Sequence, residues 1–305
     1  MRIIFLGTPD FAVASLKAMV EAKHEVVAVV TMPDKPAGRG MKLQQSPVKQ
    51  YAVSQNIPVL QPEKLRNPAF IEELRSYKAD LQVVIAFRML PEIVWHMPPL
   101  GTINLHASLL PDYRGAAPIN WAIINGEIVS GVSTFFLKHE IDTGDILLSA
   151  ACEIGSNTNA GELHDTLMQL GATVMLQSLE LIKAGNTQGM PQGDSSKKVA
   201  PKIFKAHCQI DWNQPGQNII NLIRGMNPYP AAFTFINSKQ VKVFKARFEP
   251  NTAAGEPTKI TCDKKSFLKV GCLDGFIYLL DVQMESKKRM DIESFLRGNA
   301  IGSDL

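Results

Sequence analysis

No stretch of this 305-residue chain approaches the run of ~20 apolar residues that a membrane-crossing helix needs. Cysteine is scarce. Cys152, Cys208, Cys262 and Cys272 are spread so widely that no two are closer than ten residues, which argues against a metal knuckle or a disulfide framework. Reduced thiols of this kind fit a reducing compartment, and the expected location is cytoplasmic. The opening residues MRIIFLGTPDF carry one basic residue and one short apolar run, too little for a secretory leader. The turn Gly7-Thr8-Pro9-Asp10 has a single glycine where a dinucleotide-binding G-x-G-x-x-G has three, which argues against a nicotinamide site. Internal repeats and low-complexity tracts are missing as well, so solenoid and disordered classes drop out.

What is present suits a globular protein of two domains. Hydrophobic residues make up 45% of the chain, enough for real cores, and the length exceeds one domain of ordinary size. Charge is unevenly placed. Residues 1–185 hold 15 Lys/Arg against 18 Asp/Glu, residues 186–205 hold four lysines against one aspartate, and residues 206–305 hold 13 against 10. An acidic front half followed by a basic linker and tail points to a polyanionic partner or to chance asymmetry on a solvated surface, between which charge alone does not choose.

The first 150 residues alternate continuous apolar runs with helical patterns. Residues 2–6, 26–30, 81–86, 102–105 and 132–137 read as buried strands of a mostly parallel sheet, an α/β Rossmann-like domain. Thr8-Pro9 reads as a helix start, with Thr8 as the cap, and residues 160–183 as one long helix. A Gly-, Ser-, Pro- and Lys-rich stretch follows. Beyond it the pattern predicts a helix over 214–224 stopped by Gly225. Short strands follow over 231–236, 240–248, 258–262, 266–272 and 275–284, and a closing helix near 292–297. Such strands suggest a small barrel or sandwich, and the fold class expected for this part is a smaller OB-like β-barrel. The expected division is therefore 1–185, a basic linker 186–205, and a C-terminal domain 206–305.

The residues with chemistry cluster at 101–118, GTINLHASLLPDYRGAAP. Asn104 and His106 lie two apart on a strand, so they project from one face near its carboxyl end, where open α/β sheets place active sites. A lone Asn-x-His would read as a core histidine beside a satisfied amide. Here KHEIDTGDI follows the strand at 132–137 and supplies Asp142 and Asp145 in a glycine-containing loop. A carboxylate facing an imidazole is what sets a histidine's protonation state. The loop at 34–49 carries Lys35, Arg39, Lys42 and Lys49 against Asp34, a positive segment suited to phosphates or simply solvated.

In combination, Asn104-x-His106, SLLPDYRGAAP at 108–118 and Asp142-Thr143-Gly144-Asp145 resemble the signature of the folate-dependent formyltransferases, most closely those acting on methionyl-tRNA. The likeness extends to PDKPAGRGMKLQQSPVK at 33–49, IDW at 210–212, RGMNPYPAAF at 224–233 and KKRM at 287–290. It implies one-carbon transfer from 10-formyltetrahydrofolate to the amino group of methionyl initiator tRNA, for translation initiation. It implies Asn104, His106 and Asp142 as the catalytic set. It implies a folate pocket at Phe87, Arg88, Met89, Leu90, Ser108, Leu109, Pro111, Gly144 and Asp145, and tRNA contacts at Arg39 and Lys42. No metal and no membrane are expected, and the chain is expected to be a monomer.

Three sibling activities share such a core. A glycinamide ribonucleotide enzyme would end near residue 200, and the basic C-terminal hundred residues argue against it. A formyl-folate hydrolase would not need that tail. An enzyme acting on an amino sugar nucleotide or another small amine can carry a C-terminal domain and stays the alternative. A non-catalytic RNA-binding protein on a retired core conflicts with the intact Asn104, His106 and Asp142.

Overall fold

The computed structural model describes residues 1–37, 42–193, 198–251, 256–299 and 301. Two compact units emerge: one of Met1–Gly115, Ser130–Cys152 and His164–Val199, the other of Ala116–Val129, Glu153–Leu163 and Ala200–Leu305. The units are thus discontinuous in sequence, and two inserts, Ala116–Val129 and Glu153–Leu163, pack with the C-terminal part.

In the first unit β1 (Arg2–Gly7) leads through α1 (Asp10–Glu21) to β2 (Glu25–Val30). An antiparallel pair, β3 (Lys35–Ala37) and β4 (Lys42–Gln44), then precedes α2 (Pro47–Ser54), β5 (Val59–Leu60) and α3 (Pro68–Ser76). After these come β6 (Leu81–Ile85), the short α4 (Glu92–Trp95), β7 (Thr102–His106) and the two-residue β8 (Arg114–Gly115). Past α5 (Pro118–Ile124), which belongs to the second unit, come β9 (Val129–Phe136), β10 (Ile146–Glu153), α6 (Ala160–Lys183) and the two-residue β11 (Val199–Ala200). The main sheet has seven strands in the order β10-β9-β7-β6-β1-β2-β5. The pairs β1–β2, β1–β6, β6–β7 and β2–β5 are parallel, whereas β7 and β9 run antiparallel. Ile3, Phe5, Leu81, Ile85 and Ile103 are wholly buried, as expected of strands covered on both faces.

Two local expectations change. Pro9, not Thr8, caps α1, and the Thr8 hydroxyl is buried without a hydrogen bond. Within the 34–49 segment, Lys35–Ala37 pairs antiparallel with Lys42–Gln44, Pro36 opposite Leu43. The base of the segment is tied by Lys49 Nζ, 2.6 Å from Asp34 and 2.7 Å from Gln61 Oε1. Those bonds to Lys49 and Gln61 hold the Asp34 carboxyl below its ordinary range.

In the second unit α7 (Gly216–Met226) packs on a six-stranded antiparallel sheet. Its strands are β12 (Ala232–Ile236), β13 (Lys239–Pro250), β14 (Ile260–Cys262), β15 (Leu268–Cys272), β16 (Gly275–Met284) and β17 (Met290–Asp291), followed by α8 (Ile292–Arg297). The order β12-β13-β16-β15-β14, with β17 on β16, makes a curled half-barrel, the open form of the small barrel expected from the strand pattern. Trp212, Ile219, Phe233, Val243, Ile277 and Phe295 share its core, where Trp212 Nε1 donates to Thr234 Oγ1 at 3.0 Å. Contrary to expectation, α7 does not stop at Gly225 but runs one residue past it. Gly225 is there because α5 lies against it: a Cβ would sit 2.6 Å from Ile124 Cγ1, and Asn120 Nδ2 donates to its carbonyl at 2.7 Å.

Candidate active site

Asn104 and His106 sit on β7, opposite Phe135 and Ser133 of β9. His106 is buried and Asn104 half-buried, and the Asn104 side chain makes no hydrogen bond to protein among the described residues. The imidazole is oriented from one side by backbone. His106 Nε2 lies 2.9 Å from the Tyr113 carbonyl, which can only accept, so Nε2 carries a proton and donates it there. Nδ1 is left as the nitrogen that can gain or lose a proton. It faces Asp142 Oδ2 at 3.8 Å, a distance at which protonation would create an ion pair in a largely buried setting.

Asp142 belongs to the loop joining β9 to β10, and its backbone adopts the left-handed conformation, with φ +55°. Its Oδ2 accepts from the Gly115 N–H at 3.0 Å. Two residues on, Gly144 lets the loop pass tightly over the strand end, because a Cβ there would lie 1.5 Å from the Phe136 carbonyl oxygen. Asp145 closes the loop, its carboxylate 2.8 Å from Lys138 Nζ and its carbonyl accepting from the Phe136 N–H at 3.1 Å.

The 108–115 segment is anchored by Ser133, a wholly buried hydroxyl on β9. Ser133 Oγ accepts from the Leu110 N–H at 3.1 Å and donates to the Ser108 carbonyl at 2.8 Å. Its proton is thereby committed, so Ser149, 2.9 Å away, is the donor between the two hydroxyls. Ser108 Oγ in turn donates to the Asp112 carbonyl at 2.6 Å. Leu109 and Pro111 are half-buried in this loop, and Leu109 packs over Gly131.

The 87–90 segment is more mixed. Phe87 and Leu90 pack with Leu6, Val84 and Val94 in a core cluster, and Met89 is 76% exposed. Arg88 is occupied by backbone: its guanidinium donates to the Glu63 carbonyl at 2.8 Å and to the Pro62 carbonyl, and burial lowers its proton affinity. Arg39 lies outside the described residues; Lys42 is described only as part of β4. The structure therefore brings together Asn104, His106, Ser108, Asp142, Gly144 and Asp145, and turns the Arg88 guanidinium to the carbonyls of Glu63 and Pro62. No group of three or more His, Cys, Asp or Glu gathers in metal-binding fashion among the described residues.

Two contributors escaped the sequence reading. The Tyr113 carbonyl is a backbone atom, invisible to side-chain motifs. Gln192 lies in the stretch read as a linker, with no periodicity to mark it. Yet Gln192 Nε2 donates to the carbonyls of Asp142 at 2.9 Å and Gly144 at 2.7 Å, while its Oε1 accepts from Arg114.

An imidazole with one nitrogen committed to backbone, a carboxylate beside it and a carboxamide on the same strand, at the carboxyl end of an interior strand of an open α/β sheet, are the groups an acyl-transfer class of site uses. Comparison with known proteins narrows that class. The formyl transferase family model matches residues 1–179, and the model of the formyl transferase C-terminal domain matches residues 202–300. The chain belongs to the formyl transferase family. It is 50% identical over 307 residues to a protein of Bacteroides fragilis named methionyl-tRNA formyltransferase, covering 98% of this chain and 95% of that one. The protein of the same name from Parabacteroides distasonis is 52% identical over 309 residues, with the same coverages. Among solved structures, the sugar 3N-formyl transferase WlaRD, determined in the presence of dTDP and 5-N-formyl-THF, matches with a TM-score of 0.69 at 20% identity, over 94% of this chain and 99% of its own. HypX from Aquifex aeolicus in complex with tetrahydrofolic acid matches with a TM-score of 0.64 at 20% identity, over 97% of this chain and 47% of its own. At such identities the likeness is one of fold.

Proposed function

We propose that this formyl transferase moves the formyl group of 10-formyltetrahydrofolate to the amino group of methionyl initiator tRNA, in the cytoplasm and without a metal. The observation that carries this reading is the end-to-end likeness, at about half identity, to proteins named methionyl-tRNA formyltransferase, which includes the C-terminal unit.

The site geometry supports a route for the chemistry. The amine attacks the formyl carbon, a C–N bond forms, and negative charge develops on the formyl oxygen. The Asn104 amide, free of protein partners, donates to that oxygen. The amine's proton passes to His106 Nδ1, because Nε2 is already committed to Tyr113, and the nearby Asp142 carboxylate stabilises the imidazolium. The tetrahedral centre then collapses. The bond to the folate nitrogen breaks, and Nδ1 returns the proton to that nitrogen, giving formylated amine and tetrahydrofolate. The loops bearing Ser108, Leu109 and Pro111, and Gly144 with Asp145, are proposed to hold the folate, with the exposed Met89 beside them. Phe87 and Leu90 would shape the pocket from the core, and Arg88 would brace it. Arg39 and Lys42, in the basic 34–49 segment, are proposed to follow tRNA phosphates, as is the C-terminal unit.

The test is formyl transfer from 10-formyltetrahydrofolate to charged initiator tRNA, run beside glycinamide ribonucleotide and a dTDP-linked amino sugar. Rapid formylation of the tRNA alone is expected. Turnover of an amino sugar with the tRNA inert would replace this reading by the small-acceptor one.

A further inference from the structure

We propose that Gln192 is a positioning residue for the Asp142 carboxylate, holding it against His106 by clamping the Asp142 loop to the loop that ends at Gly115. This rests on the reading of His106 and Asp142 as the pair that handles the proton.

The Gln192 amide is fully used. Its two N–H groups donate to the carbonyls of Asp142 and Gly144, at 2.9 and 2.7 Å. Its oxygen accepts twice from the Arg114 guanidinium, from Nε at 3.0 Å and Nη2 at 2.5 Å. One carboxamide can make four such bonds, and here all four join the same two loops. Arg114 immediately precedes Gly115, whose N–H holds Asp142 Oδ2. Gln192 therefore sets the separation between the Asp142 backbone and the amide that orients its carboxylate. The Asp142 backbone lies in the left-handed region, which aspartate tolerates better than most residues, and the two bonds from Gln192 help to fix it there.

The clamp is itself anchored. Met190 and Ile146 exchange backbone hydrogen bonds in both directions at 2.8 Å, fixing the segment two residues before Gln192 to the start of β10. At Gly189 the approach is so close that a Cβ would meet Asp145 Cβ at 2.8 Å. The segment thus reaches the catalytic loop through built contacts, and Gln192 touches neither His106 nor, on this reading, the reacting atoms.

Kinetics of the full-length chain test the proposal in three variants. Gln192→Glu is nearly isosteric and keeps an acceptor for Arg114, but it loses both donors and sets a negative charge beside two carbonyl oxygens. It should lower kcat about 10- to 100-fold while the KM for methionyl-tRNA stays within about twofold, because misplacement of a reacting group by a fraction of an ångström acts on the chemical step. Gln192→Ala should behave alike. In an Asp142→Ala background, Gln192→Ala should lower kcat no further, since a residue acting through Asp142 has nothing left to position. Wild-type kcat in both Gln192 variants while Asp142→Ala is slow would overturn the clamp and leave the proton-handling pair standing. Independent, multiplying losses in the double variant would also overturn it. Wild-type turnover in Asp142→Ala would bring down the pair, and the clamp with it.

Discussion

At the scale of single residues, the site depends on which nitrogen of His106 is free. The Tyr113 carbonyl accepts a hydrogen bond from Nε2–H, so on the proposed route the proton is handled by Nδ1, which faces Asp142. His106→Ala and Asp142→Ala are each expected to lower kcat by about 10²–10³-fold in a folded protein, the usual cost of losing one preorganised group that stabilises charge. Near-normal turnover in either variant, with an unchanged circular dichroism spectrum, would remove that residue from the mechanism. Asn104→Asp should be slower than its size suggests, because a carboxylate at that place repels a developing oxyanion; normal kcat would make Asn104 a framework residue. Gly144→Ala tests the loop. Its added methyl would meet the Phe136 carbonyl oxygen, so the loop must shift. A loss of about 1–3 kcal/mol in stability is expected, as for other overpacked sites, together with reduced turnover. An unchanged melting temperature would show that the loop yields freely.

At the scale of elements, β7 and β9 do the positioning, and the turns between other strands keep the second unit together. Asp263 illustrates the latter. Its Oδ1 accepts from the backbone N–H groups of Lys265, Ser266 and Phe267, and its other oxygen from the Ser266 hydroxyl, closing the turn between β14 and β15. These bonds, that of the Ser266 hydroxyl foremost, hold the Asp263 carboxyl well below the usual range. A depressed folded value means that the stabilisation is present above the unfolded pKa and disappears as pH falls through the folded one. Asp263→Ala should therefore lower the melting temperature at neutral pH, and the difference from wild type should shrink on strong acidification. A difference that is constant with pH would show that the turn owes nothing to the charge.

At the scale of the whole molecule, the basic balance lies in residues 186–305 and in the segment at 34–49, away from the acidic remainder of the first 185 residues. If tRNA is the acceptor, its phosphates must be neutralised while the charged end enters the His106 site. Arg39→Ala with Lys42→Ala should leave folate binding intact, lower turnover on methionyl-tRNA and flatten the dependence of log K on log salt by up to about two phosphate contacts. Formylation at the wild-type rate with an unchanged salt slope would make the segment plain surface and shift belief toward a small acceptor. Removal of residues 206–305 is a poorer probe than it looks from composition. Residues 116–129 and 153–163 pack with that segment, as Asn120 and Ile124 do against Gly225, so truncation would strip them of their partners.

The amino-acid sequence by itself determined the parallel sheet, the strand-rich C-terminal third and the residues proposed as the nucleus of the site. Each of these is written in local patterns: continuous apolar runs such as 81–86, alternation such as 275–284, and Asn104-x-His106 on one strand face. Asp142 was legible because its loop directly follows an apolar strand and the combined motif resembles a family. Four things were decided only by tertiary structure. The tautomer of His106 comes from a backbone carbonyl seven residues away in sequence. Arg88 is drawn to two carbonyls, Glu63 and Pro62, that no motif links to it. Gly225 is a contact point for α5 rather than a helix stop, and a glycine's letter does not say which. Gln192 is separated from Asp142 by fifty residues and sits in a stretch with the composition of a linker. Hydrogen bonds of this kind leave no periodic trace, because they depend on where the chain returns in space and not on what stands beside each residue in sequence.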